Sequence, residues 1–266
     1  MILNENIELT RIDYLLSLPR IIEDDKEGTN ETIRKYLSNY KKNLVSDQIQ
    51  ITYKTKYNKG GYGRMVPYID SEASGVALLK SNVRSFLTRH RYIDVDLEKC
   101  HWNILLYILG KYNLEKTLII EFLLHYTDYK KILSEVNIEV KGGLFSALNT
   151  ELGAESKNCK IILQYIPQLN GIRNLIYNHL VPKLKENYNE LYKICSKEKD
   201  YNKNGRFIAM VLQTHERDIM LDVFKQLDTY ANLKPSIFIY DGFMVEKKYQ
   251  EVLENFIQHP IRIESL

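Results

Sequence analysis

Two aspartates lie two positions apart in the apolar stretch YIDVD. The pattern predicts a strand over 91–96, with Asp94 and Asp96 on the same face. Two carboxylates at the end of a strand are costly unless they are solvated, paired or bound to a cation. Mg²⁺ takes one or two protein carboxylates and completes its coordination with water and phosphate oxygens. The pair therefore indicates either a magnesium site or a solvated or salt-bridged sheet edge.

A third aspartate lies in the segment KPSIFIYDGFMVEK near the end of the chain. The segment predicts a hairpin of strands 236–241 and 243–247 around a tight turn containing Asp241 and Gly242. Pairing with the 91–96 strand would bring Asp241 beside the first two aspartates. Carboxylates from two elements can hold two metal ions about 3.5–4 Å apart for phosphoryl transfer.

The rest of the chain, which must support the strands that carry these acids, is predicted to be mostly helical. Periodicity predicts an α+β protein, predominantly helical, with a small antiparallel sheet and a helical subdomain. The order of acidic strand, helical insertion and acidic hairpin resembles the layout of a polymerase palm, which would make the sheet palm-type and the helical subdomain fingers-like. Further strand is expected at 48–54, and loops at 57–63 and 198–205. Helices are predicted at 7–18, 30–44, 74–90, 98–111, 114–125, 127–136, 141–150, 157–182, 183–196, 205–230 and 248–258.

Composition excludes several classes of protein. With 266 residues, 44% hydrophobic and 27% charged, the chain is neither disordered nor collagen-like. Its apolar runs are shorter than a membrane span, and its first residues lack a signal-peptide pattern. The cysteines show no metal-ligand spacing. We therefore expect a cytoplasmic protein in a reducing compartment, without a membrane partner.

The net charge of +3 conceals two basic stretches. Lys54, Lys56 and Arg64 belong to a tyrosine-rich stretch over 31–64, and Arg84 to an acid-free stretch over 73–93. Cations interleaved with aromatic rings suit a nucleic-acid backbone and stacked bases, although a solvated charged surface has the same composition. We expect residues 1–91 to form a basic, template-binding region. Residues 92–266 would hold the palm with its insertion at about 112–200, the whole forming one compact unit.

Four segments occur in an order that resembles the TV-Pol polymerases of transposons and viruses, relatives of the family A DNA polymerases and of the single-subunit phage RNA polymerases. They are YIDVDLEKCHWNIL, VKGGLFSALN, MVLQTHERDIMLDVFKQL and IYDGFMVEK, and together they span residues 92–247. The first is similar to motif A, in which Asp96 matches the family aspartate and Asp94 is an additional acid. The last is similar to motif C, with Asp241 as its aspartate.

The resemblance implies nucleotide-binding roles for residues between the acids. Lys141 and Phe145 match motif B and would meet the triphosphate and the base or sugar, while His101 falls where the DNA enzymes contact the incoming sugar. Gln213 matches the helix that precedes motif C. Asn149 and Asn137 depart from the pattern, because they replace a tyrosine and an arginine.

The resemblance implies a template-directed nucleotidyltransferase of viral or mobile-element replication that uses two Mg²⁺ or Mn²⁺ ions. Its partners would be a nucleic-acid template and primer, dNTP or NTP, and a helicase or other replication subunit. Three alternatives stay open: a primase-like polymerase that starts de novo, a metal-dependent nuclease, and an inactive replication factor that retains the palm fold.

Overall fold

The computed structural model describes residues 1–23, 28–57, 61–67, 75–136, 138, 140–198 and 201–258, without the side chains of 56, 57, 140, 141, 198, 257 and 258. The protein is mostly helical with small antiparallel sheets, which confirms the α+β class. The chain divides into two compact units. Unit 1 comprises 1–58, 64–98 and 217–266, and unit 2 comprises 59–63 and 99–216.

The division of the chain differs from the expected boundary at residue 91. Residues 1–58 and 64–91 fold together with the C-terminal hairpin in unit 1. The physical reason is long-range pairing, because strands and hydrogen bonds join the first residues of the chain to segments far along it. The helical insertion forms unit 2 and begins at Lys99, earlier than position 112.

The first sheet of the protein has the order β1–β2–β3. Its strands are β1 (Ile2–Asn6), β2 (Gln48–Tyr57) and β3 (Tyr62–Pro67). The predicted strand at 48–54 is confirmed, whereas β1 and β3 were not predicted. In β1 the polar residues Glu5 and Asn6 are the buried ones, so the sequence lacks the usual apolar signal of a strand.

The second sheet, which carries the predicted acids, is entirely in unit 1. Its strands are β4 (Tyr92–Asp96), β5 (Ile237–Ile239) and β6 (Gly242–Glu246), with β6 central and both pairs antiparallel. The predicted hairpin and its pairing with the 91–96 strand are therefore confirmed. The turn itself is shifted: Gly242 pairs with Ile239 as the first residue of β6, so Tyr240 and Asp241 form the loop.

Thirteen α-helices occur in the described parts of the chain. They are α1 (Leu9–Ser17), α2 (Thr29–Lys42), α3 (Ser81–Thr88), α4 (Cys100–Lys111), α5 (Thr117–Leu124), α6 (Tyr126–Glu135), α7 (Val140–Leu148), α8 (Lys157–Tyr165), α9 (Gln168–Asn174), α10 (Val181–Asn187), α11 (Asn189–Glu198), α12 (Lys203–Ala231) and α13 (Gln250–Gln258).

The helix predicted over 157–182 is divided in the structure. Helix α8 ends before Pro167, which lacks a backbone N–H and so interrupts the hydrogen-bond ladder. Helix α9 then continues into a π-helical segment, Leu175–Leu180. Within the described residues, no helix combines the length and apolarity needed to cross a membrane.

Candidate active site

The three predicted carboxylates lie at one end of the second sheet. The β4–β6 register places Asp94 opposite Met244 and Asp96 opposite Gly242, directly after Asp241. A hydrogen bond from the Leu97 amide to the Asp241 carbonyl, 2.9 Å, closes this end of the sheet. Asp94 and Asp96 are solvent-exposed and Asp241 is half-buried. The strand pairing thus brings Asp241 to two carboxylates that lie at least 145 positions before it in the sequence.

The turn that carries Asp241 is conformationally unusual. Tyr240 has a φ of +50°, in a backbone region that residues other than glycine seldom adopt. Such strain persists only where the surrounding structure holds it, and it is common at functional sites. The next residue, Gly242, leaves no room for a side chain, because a Cβ there would lie 2.5 Å from the Val95 carbonyl and would collide with the Asp96 carboxylate. Gly242 therefore permits the close approach of Asp96.

The electrostatics show that the three acids share one neighbourhood. The pKa of Asp94 is raised, first because nearby protein atoms displace part of the water around its carboxyl group, and then because of the negative charges of Asp96 and Asp241. The positive charge of Arg84 acts in the opposite direction. The site therefore concentrates negative charge that a cation would relieve.

The two predicted nucleic-acid-binding arginines have different neighbours. The Arg84 guanidinium donates to the carbonyls of Leu79, at 3.2 Å, and Ala77, at 3.4 Å, and its charge acts on Asp94. The Arg64 guanidinium lies 4.8 Å from the centre of the ring of Tyr240, the residue before Asp241 in the chain. The basic stretches thus supply one cation near Asp94 and another at the Tyr240 ring.

The acids are not arranged as a preformed metal cage. In the part of the chain that the structure describes, no group of three or more His, Cys, Asp or Glu side chains is placed to hold a metal ion. The donor chemistry nevertheless fits Mg²⁺ or Mn²⁺, which prefer carboxylate oxygens and need only one or two of them from the protein. Asp96 and Asp241 can supply that number.

In unit 2, the structure brings together two residues predicted to bind nucleotide. The rings of His101 on α4 and Phe145 on α7 pack with their centres 4.4 Å apart. His101 is only 4% exposed, and its Nε2 lies 2.5 Å from the Glu216 carboxylate. The imidazole is therefore engaged with a buried carboxylate of α12, and Phe145, which is half-buried, is the more accessible of the two rings.

Two further nucleotide-binding candidates, Asn149 and Gln213, belong to the segments that carry Phe145 and Glu216. Asn149 follows Phe145 by one helical turn and donates its amide to the Phe145 carbonyl, 2.9 Å. Its own carbonyl accepts a hydrogen bond from the Asn202 amide at 3.0 Å. Gln213 is half-buried and lies three positions before Glu216, on the same face of α12.

Of the three lysines predicted to bind nucleic acid or nucleotide, the structure describes the side chain of one. Lys54 lies on β2 and is half-buried, whereas the side chains of Lys56 and Lys141 lie outside the described residues. For Lys141, the backbone belongs to the first turn of α7. Asn137, which replaces the motif B arginine, also lies outside the described residues.

Glu216 is the main residue that sequence reasoning did not single out. It is 1% exposed. A signal was present, because position 216 follows the buried Leu212 by four and precedes the buried Ile219 by three. A carboxylate at a core position of an amphipathic helix indicates a buried partner, which is His101.

No model of a known protein family matches the chain, and no curated protein matches it either. The resemblance to the TV-Pol polymerases therefore rests on the four segments within residues 92–247.

Proposed function

We propose that the protein is a template-directed nucleic-acid polymerase, a nucleotidyltransferase with a palm-type catalytic sheet and a TV-Pol-like order of motifs. One observation carries the proposal: Asp94, Asp96 and Asp241, contributed by two distant segments of the chain, lie together at the end of a three-stranded antiparallel sheet. Two-metal phosphoryl transfer needs such carboxylates on a rigid support.

Asp96 and Asp241 would hold Mg²⁺ or Mn²⁺, with Asp94 as an additional acid. When bound, the two ions would lower the pKa of the attacking hydroxyl and neutralise charge on the triphosphate. The chain's own contribution is to fix the carboxylates: the Tyr240–Asp241 turn and the side-chain-free Gly242 bring Asp241 and Asp96 to adjacent positions.

The cations beside the site suit a polyanionic substrate. Arg64 and Arg84 would contact the phosphates of the template or primer, together with Lys54 and Lys56 from β2. A guanidinium held by backbone carbonyls or stacked on a ring is already ordered, so less conformational entropy is lost when it binds phosphate.

The resemblance assigns the incoming dNTP or NTP to residues of unit 2. Phe145 would contact the base or sugar, Lys141 would pair with the triphosphate, and Asn149 and Gln213 would border the nucleotide. The buried contact with Glu216 favours a role for His101 in holding the Phe145 ring, against which its imidazole packs. Mobile-element or viral replication, and a helicase or other replication partner, belong to the same proposal.

A primer-extension assay tests the proposal. Labelled primed and unprimed templates are incubated with Mg²⁺ and either dNTPs or NTPs. We expect extension by the wild type and a loss of at least about a hundredfold in Asp96→Asn and Asp241→Asn, since each removes a metal ligand. The matched control is Asp128→Asn, an exposed acid of α6, which should extend like the wild type.

The same assay decides between the alternatives. Shortening of the labelled strand without triphosphates indicates a nuclease, and synthesis on unprimed template indicates a primase-like enzyme. Wild-type protein that neither extends nor cuts, and that binds no Mg²⁺ in calorimetry, would be an inactive replication factor. Full extension by Asp241→Asn would refute the assignment of the site.

A further inference from the structure

A buried carboxylate lies behind the acidic sheet, in a segment with no recognised motif. Glu5 of β1 is completely buried, and its Oε2 accepts hydrogen bonds from the Tyr40 hydroxyl and the Val76 amide, both at 2.9 Å. Its Oε1 accepts from the Tyr53 hydroxyl at 3.2 Å. The carboxyl group thus joins α2, β2 and the segment that begins at Gly75.

The Tyr53 hydroxyl extends this network to the catalytic sheet. It accepts a hydrogen bond from the backbone amide of Phe238, at 3.3 Å, while the two rings meet edge to face with their centres 5.9 Å apart. Phe238 lies on β5, an edge strand, two residues before the Tyr240–Asp241 turn. Glu5 therefore fixes the Tyr53 hydroxyl, which accepts a hydrogen bond from β5, the edge strand of the hairpin that carries Asp241.

The neighbouring residue of β1 holds the other two strands of that sheet. The Asn6 amide donates to the Tyr92 hydroxyl at 2.7 Å, and this hydroxyl donates to the Asn6 carbonyl at 3.1 Å. The Asn6 side chain donates to the Glu246 carboxylate at 2.7 Å. Tyr92 and Glu246 are paired on β4 and β6. Two consecutive residues of β1 thus connect to all three strands of the sheet.

The position of Glu5 is tightly determined. A Cβ on Gly75 would lie 3.1 Å from the Glu5 carboxyl carbon, so this glycine admits the carboxyl group. The titratable groups facing Glu5 are Tyr40 from α2, Tyr53 from β2 and Tyr92 from β4, and Tyr36 from α2 acts on the hydroxyls of Tyr40 and Tyr53. Burial raises its pKa to about 7, and the hydrogen bonds from Val76, Tyr40 and Tyr53 offset this only in part.

We propose that Glu5 is a positioning residue for the acidic site: through the Tyr53 hydroxyl it holds β5, and thereby sets the distance of the Asp241 carboxylate from Asp94 and Asp96. The catalytic part of this inference rests on the proposed function. The structural part does not, because the separation of the three acids is measurable without any reaction.

The test compares Tyr53→Phe and Glu5→Gln with the wild type in two measurements. The first is the distance between the Asp241 and Asp94 carboxylates in crystal structures of the metal-free proteins. This distance should be longer in both variants than in the wild type, because β5 loses its support at the Tyr53 hydroxyl. The second is Mg²⁺-dependent primer extension, in which kcat should fall by about tenfold with little change in KM, as expected for misplaced catalytic groups.

The matched control is Tyr36→Phe. Tyr36 lies on α2, and its hydroxyl donates to the Gly75 carbonyl, 2.5 Å. The separation of the Asp241 and Asp94 carboxylates in this variant and its extension rate should equal those of the wild type. If Tyr53→Phe fails to fold, Glu5→Gln decides alone, because glutamine keeps the shape of the side chain and one acceptor oxygen for Tyr40 and Val76, whereas its NH2 group cannot accept from the Tyr53 hydroxyl.

The outcomes separate the two proposals. An unchanged separation of the Asp241 and Asp94 carboxylates in Tyr53→Phe and Glu5→Gln overturns the positioning role, even if extension falls. A longer separation supports it, even if the wild-type protein extends no primer, in which case only the proposed polymerase activity fails.

Discussion

The two groups of predicted site residues differ in how the fold uses their charges. The acids of unit 1 are exposed or half-buried, and the charges of Asp96 and Asp241 raise the pKa of Asp94 at the end of a small sheet. In unit 2, His101 is buried and faces the equally buried Glu216. The first group keeps charges of one sign together at the surface, whereas the second pairs complementary groups in the core.

Under the proposed function, this difference separates residues that bind the metal ions from residues that support the fold. Like charges held together at the surface raise the free energy of the protein and can be relieved by a ligand of opposite charge. A buried pair satisfies itself, and losing one partner leaves the other uncompensated in the core. We therefore expect substitutions of the three exposed or half-buried acids in unit 1 to change activity more than stability, and substitutions of the unit 2 pair to do the reverse.

The largest effect is expected for Glu216→Ala. Removing one partner of a buried pair typically costs about 3–5 kcal/mol, so the free energy of unfolding measured with urea should fall by that amount. Glu190→Ala, which removes an exposed partner of Lys193, is the control and should leave stability unchanged. A normal stability with a raised KM for nucleotide would instead assign the His101–Glu216 pair to substrate binding.

The next effect concerns the pH dependence of stability. Because the pKa of Glu5 is raised from 4.5 to about 7 by folding, its contribution to stability is complete below pH 4.5 and is lost as the pH rises through about 7. The loss is on the order of 3 kcal/mol, at about 1.4 kcal/mol per pKa unit. Urea unfolding at pH 5 and pH 8 should show this decrease in the wild type and much less of it in Glu5→Gln.

Glu31→Gln serves as the control for that experiment, since Glu31 is an exposed acid of α2. The control should keep the wild-type pH dependence. If the stability of Glu5→Gln decreases between pH 5 and pH 8 as much as that of the wild type, groups other than Glu5 cause the decrease.

Gly242→Ala should reduce activity more than it reduces stability. The added methyl group would collide with the Asp96 carboxylate and displace it, and a displacement of about 1 Å can cost about a hundredfold in rate. Gly171→Ala is the control, because its methyl group would meet only the Leu118 side chain, at 3.2 Å. Wild-type primer extension by Gly242→Ala would show that the Asp96 position is not critical.

The smallest effect is expected for Asp94→Asn in the absence of metal. The raised pKa of Asp94 means that ionisation of its carboxyl group is disfavoured in the folded protein, so removing the charge should slightly raise the melting temperature at pH 8. The gain should disappear at a pH below the pKa of the carboxyl, where both proteins are neutral at this position. Addition of Mg²⁺ should reverse the order, because the ion stabilises the wild-type acids more.

Much of the fold follows from local pattern. Apolar periodicity predicts α2, α4, α6, α12 and the hairpin, because each has a buried face that repeats with the period of its element. The alternation in YIDVD is by itself enough to place Asp94 and Asp96 on one face of a strand. Apolar periodicity does not predict strand β1, because its buried side chains are polar. Their burial is favourable only because of partners far along the chain.

The candidate site was predictable in part for the same reason. The sequence itself determined which residues carry the charges, that two acids share a strand face and that a third lies in a hairpin turn. Only the tertiary structure decided that Tyr240 takes the strained turn position, that Glu216 is the buried partner of His101, and that Glu5 and Asn6 hold the acidic sheet. Those features depend on hydrogen bonds and charge pairs between segments up to 240 positions apart, and the local pattern of a sequence does not specify such partners.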